Sequence, residues 1–131
     1  MIKKLIKRIP FIRRIYPSVI KKLYNFLNIE KINYDYFGLN FIGNINEPMD
    51  KEILLFDEYE HLQIEYLLKL LKVSKFDYFI DVGANSGLYS MIIARNFGDI
   101  EVKSFEPIKK TILKFKQNIQ LNKNLNNIKI F

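Results

Sequence analysis

The chain has 131 residues, a length typical of one domain, and its composition of 49% hydrophobic and 27% charged residues is that of a globular protein. It has no cysteine, which excludes a disulfide framework and thiolate chemistry, and no apolar run as long as the ~18 residues that a membrane-spanning helix requires. The single histidine, His61, excludes a multi-histidine metal cluster, and we predict no metal site.

The net charge of +7 originates in an N-terminal arm, residues 1–29, which holds eight basic residues and no acid. Residues 30–131 hold 13 basic and 14 acidic residues, so the body is nearly neutral and we expect no nucleic-acid partner. The basic residues of the arm are Lys3, Lys4, Lys7, Arg8, Arg13, Arg14, Lys21 and Lys22.

Apolar residues recur every three or four positions in the arm, which predicts a basic amphipathic helix that Pro10 and Pro17 break or kink. Two interpretations remain open: the arm lies on an anionic membrane surface, or it packs its apolar side on the body as a solvated, lysine-rich helix. The arm lacks the small-residue cleavage site of a signal peptide. We therefore expect a cytoplasmic protein, which under the first interpretation makes a peripheral contact to the inner membrane face.

Residues 30–75 form a predicted connector. The aromatic and turn-forming residues between Asn33 and Pro48 predict a short hairpin, and Pro48 predicts the start of a short helix that carries Ile53 to Phe56.

A second connector helix is predicted from about Tyr59 to Leu71. His61 lies near its start and is of the residue type best suited to general-base catalysis at neutral pH, although a structural role is the more common one. The side chains predicted to share one side of this helix are Leu62, Tyr66, Leu67 and Leu70.

Residues 79–87, with the sequence F-I-D-V-G-A-N-S-G, are the most informative segment. The apolar stretch from Tyr78 to Val82 predicts a strand, Gly83 and Gly87 predict a tight loop, and a helical pattern begins with Leu88. A strand, a glycine loop and a helix in direct succession is the arrangement with which an open α/β sheet presents backbone N–H groups to a nucleotide-like ligand.

Glu106 follows a second predicted strand, Ile100 to Phe105, which comes after a predicted left-handed helix cap at Gly98. Glu106 lies 19 positions after Gly87, close to the ~20-residue offset at which a carboxylate reaches ribose hydroxyls. A further helix and a third strand, residues 128–131, are predicted beyond it.

The loop favours a cofactor without phosphates. Dinucleotide sites use G-x-G-x-x-G, whereas this loop has Asn85 in place of the second glycine, and a side chain there would crowd a diphosphate. Asp81 at the start of the loop suits a cationic ligand. S-adenosylmethionine fits both observations, because it carries an adenosine, a sulfonium and an ammonium group and no phosphate.

The segment Phe79 to Ser90, F-I-D-V-G-A-N-S-G-L-Y-S, followed by Ser104-Phe105-Glu106-Pro107, resembles the FkbM-type S-adenosylmethionine-dependent methyltransferases. The resemblance covers roughly residues 58–131. It implies an α/β fold with a Rossmann-like, doubly wound parallel sheet, here incomplete with the first two to three strands, and O-methylation of a sugar or other hydroxylated metabolite.

The resemblance also implies the residues of the cofactor site. The methionine end of S-adenosylmethionine would lie against the loop, and Glu106 would bind the ribose. The predicted cofactor-binding residues are Asp81, Gly83, Ala84, Asn85, Ser86, Gly87 and Glu106, within a partial methyltransferase domain, residues 76–131. Each also has a structural interpretation: the glycines serve a turn, Asp81 caps a helix, and Glu106 before Pro107 starts one.

In the sheet of the family that the chain resembles, the first strand is central and its other neighbour comes from later sequence. Phe79, Ile80 and Val82 are therefore predicted to form an uncovered apolar edge. We expect an N-terminal fragment of a longer enzyme or a truncated reading frame, poorly soluble or oligomeric by itself. Two other functions remain open: an NAD(P)-type oxidoreductase half, and a non-catalytic membrane-associated interaction module.

Overall fold

A computed structural model describes Ile6 and residues 9–131. The other arm residues, among them Lys3, Lys4, Lys7 and Arg8, lie outside the described residues, so the arm helix is considered from Ile9 onward. The elements in chain order are α1 (Pro10–Phe26), β1 (Ile32–Tyr36), β2 (Leu39–Gly43), α2 (Pro48–Phe56), α3 (His61–Val73), β3 (Tyr78–Val82), α4 (Leu88–Asn96), β4 (Glu101–Phe105), α5 (Lys109–Gln120) and β5 (Ile128–Ile130).

Two compact units divide the chain. One contains the described residues as far as Tyr36 together with Phe41–Tyr59, and the other contains Phe37–Asn40 together with Glu60–Phe131. The predicted boundary between residues 29 and 30 falls inside the first unit, and the boundary between residues 75 and 76 falls inside the second. The three predicted segments remain a prediction about domain organisation.

In the first unit, α1 begins with Pro10 in its first turn, where a proline costs no hydrogen bond, and continues through Pro17 without ending there. A small core holds this unit together: Ile6, Ile45, Leu55 and Phe56 are buried, and Tyr16, Ile20 and Tyr24 of α1 pack against them. None of the helices that the structure describes has the length and apolar character that a membrane crossing requires.

Asp50 in the first turn of α2 joins this helix to the β1–β2 hairpin. Its carboxylate is fully buried and accepts hydrogen bonds from the Tyr34 hydroxyl and the Asn44 backbone N–H, both at 2.8 Å. Burial, reinforced by the neighbouring Asp50 carboxylate, raises the pKa of Tyr34 far above its ordinary value. A buried carboxylate with two donors is stable in this position because its desolvation is compensated by hydrogen bonds.

The second unit is built on a parallel three-stranded sheet with the order β3-β4-β5. The helices α4 and α5 form the connections between successive strands, so the chain has the βαβαβ pattern of a Rossmann-like α/β fold, as predicted. The predicted strand Tyr78–Val82 and the predicted helix start at Leu88 agree with the structure.

The two faces of this sheet differ in burial. Asp81 and Ser104 lie beside each other in register on the face that α4 covers, with Val102 fully buried on the same side. The opposite face leaves Tyr78, Ile80, Val82, Phe105 and Phe131 exposed. Of the predicted edge residues, Ile80 and Val82 are exposed, whereas Phe79 faces α4 and is half-buried.

The side of α3 that is buried differs from the side that carries the predicted apolar set. In α3 the buried residues are Ile64 and Leu71, whereas Leu62, Tyr66 and Leu70 are exposed. Apolar residues surround most of this helix, so periodicity could not identify the side that packs. The predicted left-handed cap at Gly98 is wrong, because Gly98 has no positive φ and α4 ends at Asn96 with Phe97 as its C-cap at φ −137°.

Candidate functional site

The predicted site residues come together where β3 and β4 end. Val82 pairs with Phe105 in the parallel register, so the loop that follows β3 and Glu106, which follows β4, are neighbours at one edge of the sheet. The carboxyl edge is where open α/β sheets bind ligands. The sequence-predicted residues Asp81 and Glu106 are therefore on adjacent strands and share this edge.

The backbone N–H groups of the loop are used within the protein. Those of Gly83 and Ala84 both donate to the carbonyl oxygen of Phe105, at 2.9 and 3.0 Å, and that of Gly87 donates to the carbonyl oxygen of Ala84 at 2.9 Å. The expectation that the loop offers these three groups to a ligand is wrong, because those of Gly83 and Ala84 tie β3 to β4 and that of Gly87 closes the turn. These three groups are therefore not free to bind a phosphate.

Glu106 connects the two loops. One carboxylate oxygen, Oε2, accepts the N–H of Asn85 at 3.0 Å, and the other, Oε1, accepts the N–H of Ile108 at 2.9 Å. The residue is buried, with 8% of its surface exposed. Because a carboxylate can accept about four hydrogen bonds, Glu106 retains capacity for a ligand hydroxyl while it holds both loops in place.

Asp81 is held by a chain of hydroxyl groups that sequence analysis did not identify. Its Oδ2 accepts the Ser90 hydroxyl at 2.6 Å, and the Ser90 and Ser104 hydroxyls lie 2.7 Å apart. Both serines are fully buried. The available signal was a serine inside the apolar strand β4, in the position that lies beside Asp81 once the strands pair in parallel.

Burial raises the pKa of Asp81, while hydrogen bonds from the side chain and backbone of Ser90 act in the opposite direction. Among the described residues, no lysine or arginine forms an ion pair with this carboxylate. A half-buried carboxylate with hydroxyl support and no cationic neighbour is suited to a cationic ligand.

The loop residues alternate in exposure. Gly83 and Asn85 are exposed, whereas Ala84, Ser86 and Gly87 are buried. The Ser86 hydroxyl has no hydrogen-bond partner among the described residues, although the carbonyl oxygen of Ser86 accepts the Asn118 side chain at 2.9 Å. The exposed positions available to a ligand are thus Gly83 and Asn85, while the buried ones support the turn.

The two glycines of the loop meet different surroundings. Both have positive φ, +79° for Gly83 and +89° for Gly87. A methyl group on Gly87 would overlap the ring of buried Phe115 from α5, whereas a methyl group on Gly83 would have no atom within 4 Å. Gly87 is therefore required by packing, whereas the space at Gly83 is open.

The candidate base His61 starts α3, and its Nε2 lies 3.3 Å from Oε1 of Glu65. The preceding residue, Glu60, accepts the Tyr89 hydroxyl at 2.7 Å, and Tyr89 belongs to the first turn of α4. The start of α3 is therefore attached to the helix that follows the loop.

A cavity of about 470 Å³ lies at the opposite, amino edge of the sheet, between Ser74–Asp77 and Asn96–Ile100. None of the predicted site residues lines it. Because parallel sheets bind ligands at the carboxyl ends of their strands, we place the candidate site at the carboxyl edge.

Comparison with solved structures identifies the fold. An S-adenosylmethionine-dependent methyltransferase from Agrobacterium tumefaciens matches 78% of this chain with a TM-score of 0.60 at 17% sequence identity. The chain has an incomplete Rossmann-like fold that is similar to part of this methyltransferase. No protein-family model matches the sequence, and no curated protein matches it at a significant level.

Two further structures support this result. A Pyrococcus horikoshii protein assigned as a transferase matches 94% of the chain with a TM-score of 0.56 at 15% identity, and a Staphylococcus aureus protein assigned as a caffeoyl-CoA O-methyltransferase matches 89% with a TM-score of 0.54 at 16% identity. The matches cover 32% of the Agrobacterium protein, 49% of the Pyrococcus protein and 50% of the Staphylococcus protein. The chain thus spans between about a third and a half of their lengths.

Proposed function

We propose that this chain binds S-adenosylmethionine at the carboxyl edge of β3 and β4 and serves in methyl transfer. The single observation that carries the proposal is the placement of Asp81, in β3, and Glu106, directly after β4, at the same carboxyl edge of the sheet, where Glu106 binds the loop that follows β3. The methyltransferase fold supports it independently of these residues.

The residues fit the chemical groups of this cofactor. Asp81 offers a carboxylate that lacks a cationic partner among the described residues, which suits the ammonium or sulfonium charge. Glu106 has remaining acceptor capacity for the ribose hydroxyls while it holds the N–H groups of Asn85 and Ile108. The open space at Gly83 allows a ligand to approach the backbone closely.

The same geometry disfavours the oxidoreductase alternative. A dinucleotide needs free N–H groups for its diphosphate, and in this loop the groups of Gly83, Ala84, Asn85 and Gly87 already have acceptors within the protein. S-adenosylmethionine has no phosphate, so these internal hydrogen bonds do not conflict with its binding.

Within methyl transfer, we assign the chain to the FkbM type, with O-methylation of a sugar or other hydroxylated metabolite as the reaction, on the D-V-G-A-N-S-G and F-E-P motifs. When bound, the cofactor supplies an electrophilic methyl group on its sulfonium. The residues described here orient that group, and orientation contributes up to ~7–11 kcal/mol to such reactions. The acceptor and its base are expected outside this half of the site, with His61 as the candidate base within the chain.

Calorimetry with S-adenosylmethionine and S-adenosylhomocysteine tests the proposal. We expect Asp81→Ala and Glu106→Ala each to weaken binding by about tenfold or more, since each removes a charged hydrogen-bonding group. The matched control is Asp77→Ala, which removes an exposed acid at the amino edge of the same strand and should leave affinity unchanged. Equal affinities of all three variants and the parent chain, or tighter binding of NADH in a fluorescence titration, would contradict it.

A further inference from the structure

The apolar side chains of α1 fall into two sets. Tyr16, Ile20 and Tyr24 pack against the core of the first unit, yet no residue of the helix is fully buried. A second set remains between 39% and 82% exposed and is called the α1 stripe: Ile12, Ile15, Val19, Leu23 and Phe26. At about 100° per residue the stripe occupies an arc of about 80° beside the packed set.

The stripe is continuous along the helix, which distinguishes it from the scattered exposed apolar residues that all proteins carry. Its members follow one another at intervals of three or four residues from the first turn to the last. A continuous apolar surface on a folded protein marks an interaction site. The packed set already attaches α1 to its unit, so the stripe is available for a different partner.

The charge around the stripe identifies the chemistry of that partner. Arg13 is engaged within the unit, with its guanidinium 5.5 Å from the ring centre of Phe56 and 3.8 Å from Glu58. The other cations of α1 are Arg14, Lys21 and Lys22, and all are exposed. Lys22 borders the stripe, whereas Arg14 and Lys21 lie on the opposite side of the helix. A helix is ~10–12 Å wide, which is about one Debye length, so these two cations still act on charges at the surface that the stripe contacts.

The first 29 residues contain no acid, so no acid within the arm itself offsets these cations. A second copy of α1 would therefore meet the stripe with like charges around it, which disfavours pairing of two copies through this face. An anionic bilayer suits both the apolar stripe and the cations of α1, since its acyl chains would contact the stripe and its anionic headgroups would attract the cations.

We propose that α1 is a peripheral membrane anchor, with the α1 stripe inserted at the acyl boundary of an anionic phospholipid surface. This surface is formed within the first unit alone and uses none of the residues of the proposed cofactor site. The packing of Tyr16, Ile20 and Tyr24 on the core of the first unit agrees with the second of the two interpretations that the sequence pattern left open, and the proposal adds the membrane contact of the first.

The test is co-sedimentation of the full chain with vesicles of phosphatidylglycerol and phosphatidylcholine, compared with phosphatidylcholine alone. We expect binding only to the anionic vesicles. Ile15→Ser with Val19→Ser should weaken it by more than about tenfold, because each buried apolar side chain contributes substantially to insertion. The matched control is Leu62→Ser with Val73→Ser, which removes two exposed apolar side chains from α3, 75% and 81% exposed, and should have no effect.

A second test variant and its control examine the electrostatic contribution to membrane binding. Lys21→Gln with Lys22→Gln should weaken binding at low salt by about twenty-fold or more, because each cation contributes roughly fivefold. The control, Lys72→Gln with Lys75→Gln, makes the same charge change on the second unit and should not weaken binding. Equal loss in a test pair and its control would overturn the proposal, as would equal binding to neutral vesicles. Self-association in sedimentation velocity that only the Ile15/Val19 variant abolishes would also overturn it, in favour of an interface between copies.

Discussion

Replacing each glycine of the loop by alanine distinguishes the packing role of Gly87 from the exposed, ligand-facing position of Gly83. Gly83 and Gly87 both have left-handed φ values, so a methyl group at either position costs about 1–2 kcal/mol of backbone strain. Only at Gly87 does the methyl group also meet a neighbour: the Cζ of Phe115 would lie 2.7 Å away, closer than carbon atoms approach in proteins.

Phe115 is fully buried, so its ring has no free space into which to move. Overpacking of this kind costs about 1–3 kcal/mol. We therefore expect Gly87→Ala to lower the free energy of unfolding by about 2–5 kcal/mol and Gly83→Ala by about 1–2 kcal/mol, since only strain acts at the second site.

Urea denaturation followed by far-UV circular dichroism measures both values. A third variant, Gly87→Ala with Phe115→Leu, tests the cause, because a smaller side chain at position 115 should recover part of the overpacking cost. Equal destabilisation by Gly83→Ala and Gly87→Ala would refute the reasoning about Phe115. In calorimetry, Gly83→Ala should weaken S-adenosylmethionine binding despite its milder effect on stability, since its methyl group would occupy the open space through which the cofactor is proposed to approach the loop.

Two further predictions concern buried ionisable groups. Burial raises the pKa of Asp81, so the folded protein loses stability as pH rises from 3.8 through that raised pKa and the carboxyl group becomes charged. Asp81→Asn should therefore increase the free energy of unfolding at pH 7 and lose this advantage as pH falls toward 3.8. The same variant should weaken cofactor binding. Urea titrations at pH 4 and 7 measure this, and a destabilised Asp81→Asn at pH 7 would contradict it. Tyr34→Phe removes the hydroxyl that donates to buried Asp50 and should cost about 1–3 kcal/mol. In an ultraviolet titration of the parent chain, Tyr34 should remain protonated after exposed tyrosines ionise, and stability should fall as pH rises above 10.0 toward its raised pKa.

The local pattern around the glycine loop was sufficient to predict the elements there. The apolar run Tyr78–Val82, two glycines and the helical pattern from Leu88 are strong signals because each acts over a few neighbouring residues. Pro48 was equally informative, since a proline is favoured in the first turn of a helix, and α2 begins there.

Side-chain partners that come from distant sequence were not predictable in the same way. Ser90 and Ser104 support Asp81 only because β3 and β4 pair in one particular parallel register, and Glu106 holds the N–H of Asn85 only because two loops meet. The use of the loop N–H groups within the protein likewise follows from the position of the Phe105 carbonyl oxygen.

Local sequence established the kind and order of the elements in the second unit, because hydrophobic period, glycine and proline act over short distances. It also placed two acids at the carboxyl ends of neighbouring strands, Asp81 within β3 and Glu106 directly after β4. Burial depended on packing between distant segments. In α3 and α1 apolar residues occupy more than one side, and the side that packs is chosen by the neighbouring elements rather than by the helix itself. This is why α3 is buried at Ile64 and Leu71 rather than at Leu62, Tyr66 and Leu70, and why the α1 stripe is exposed.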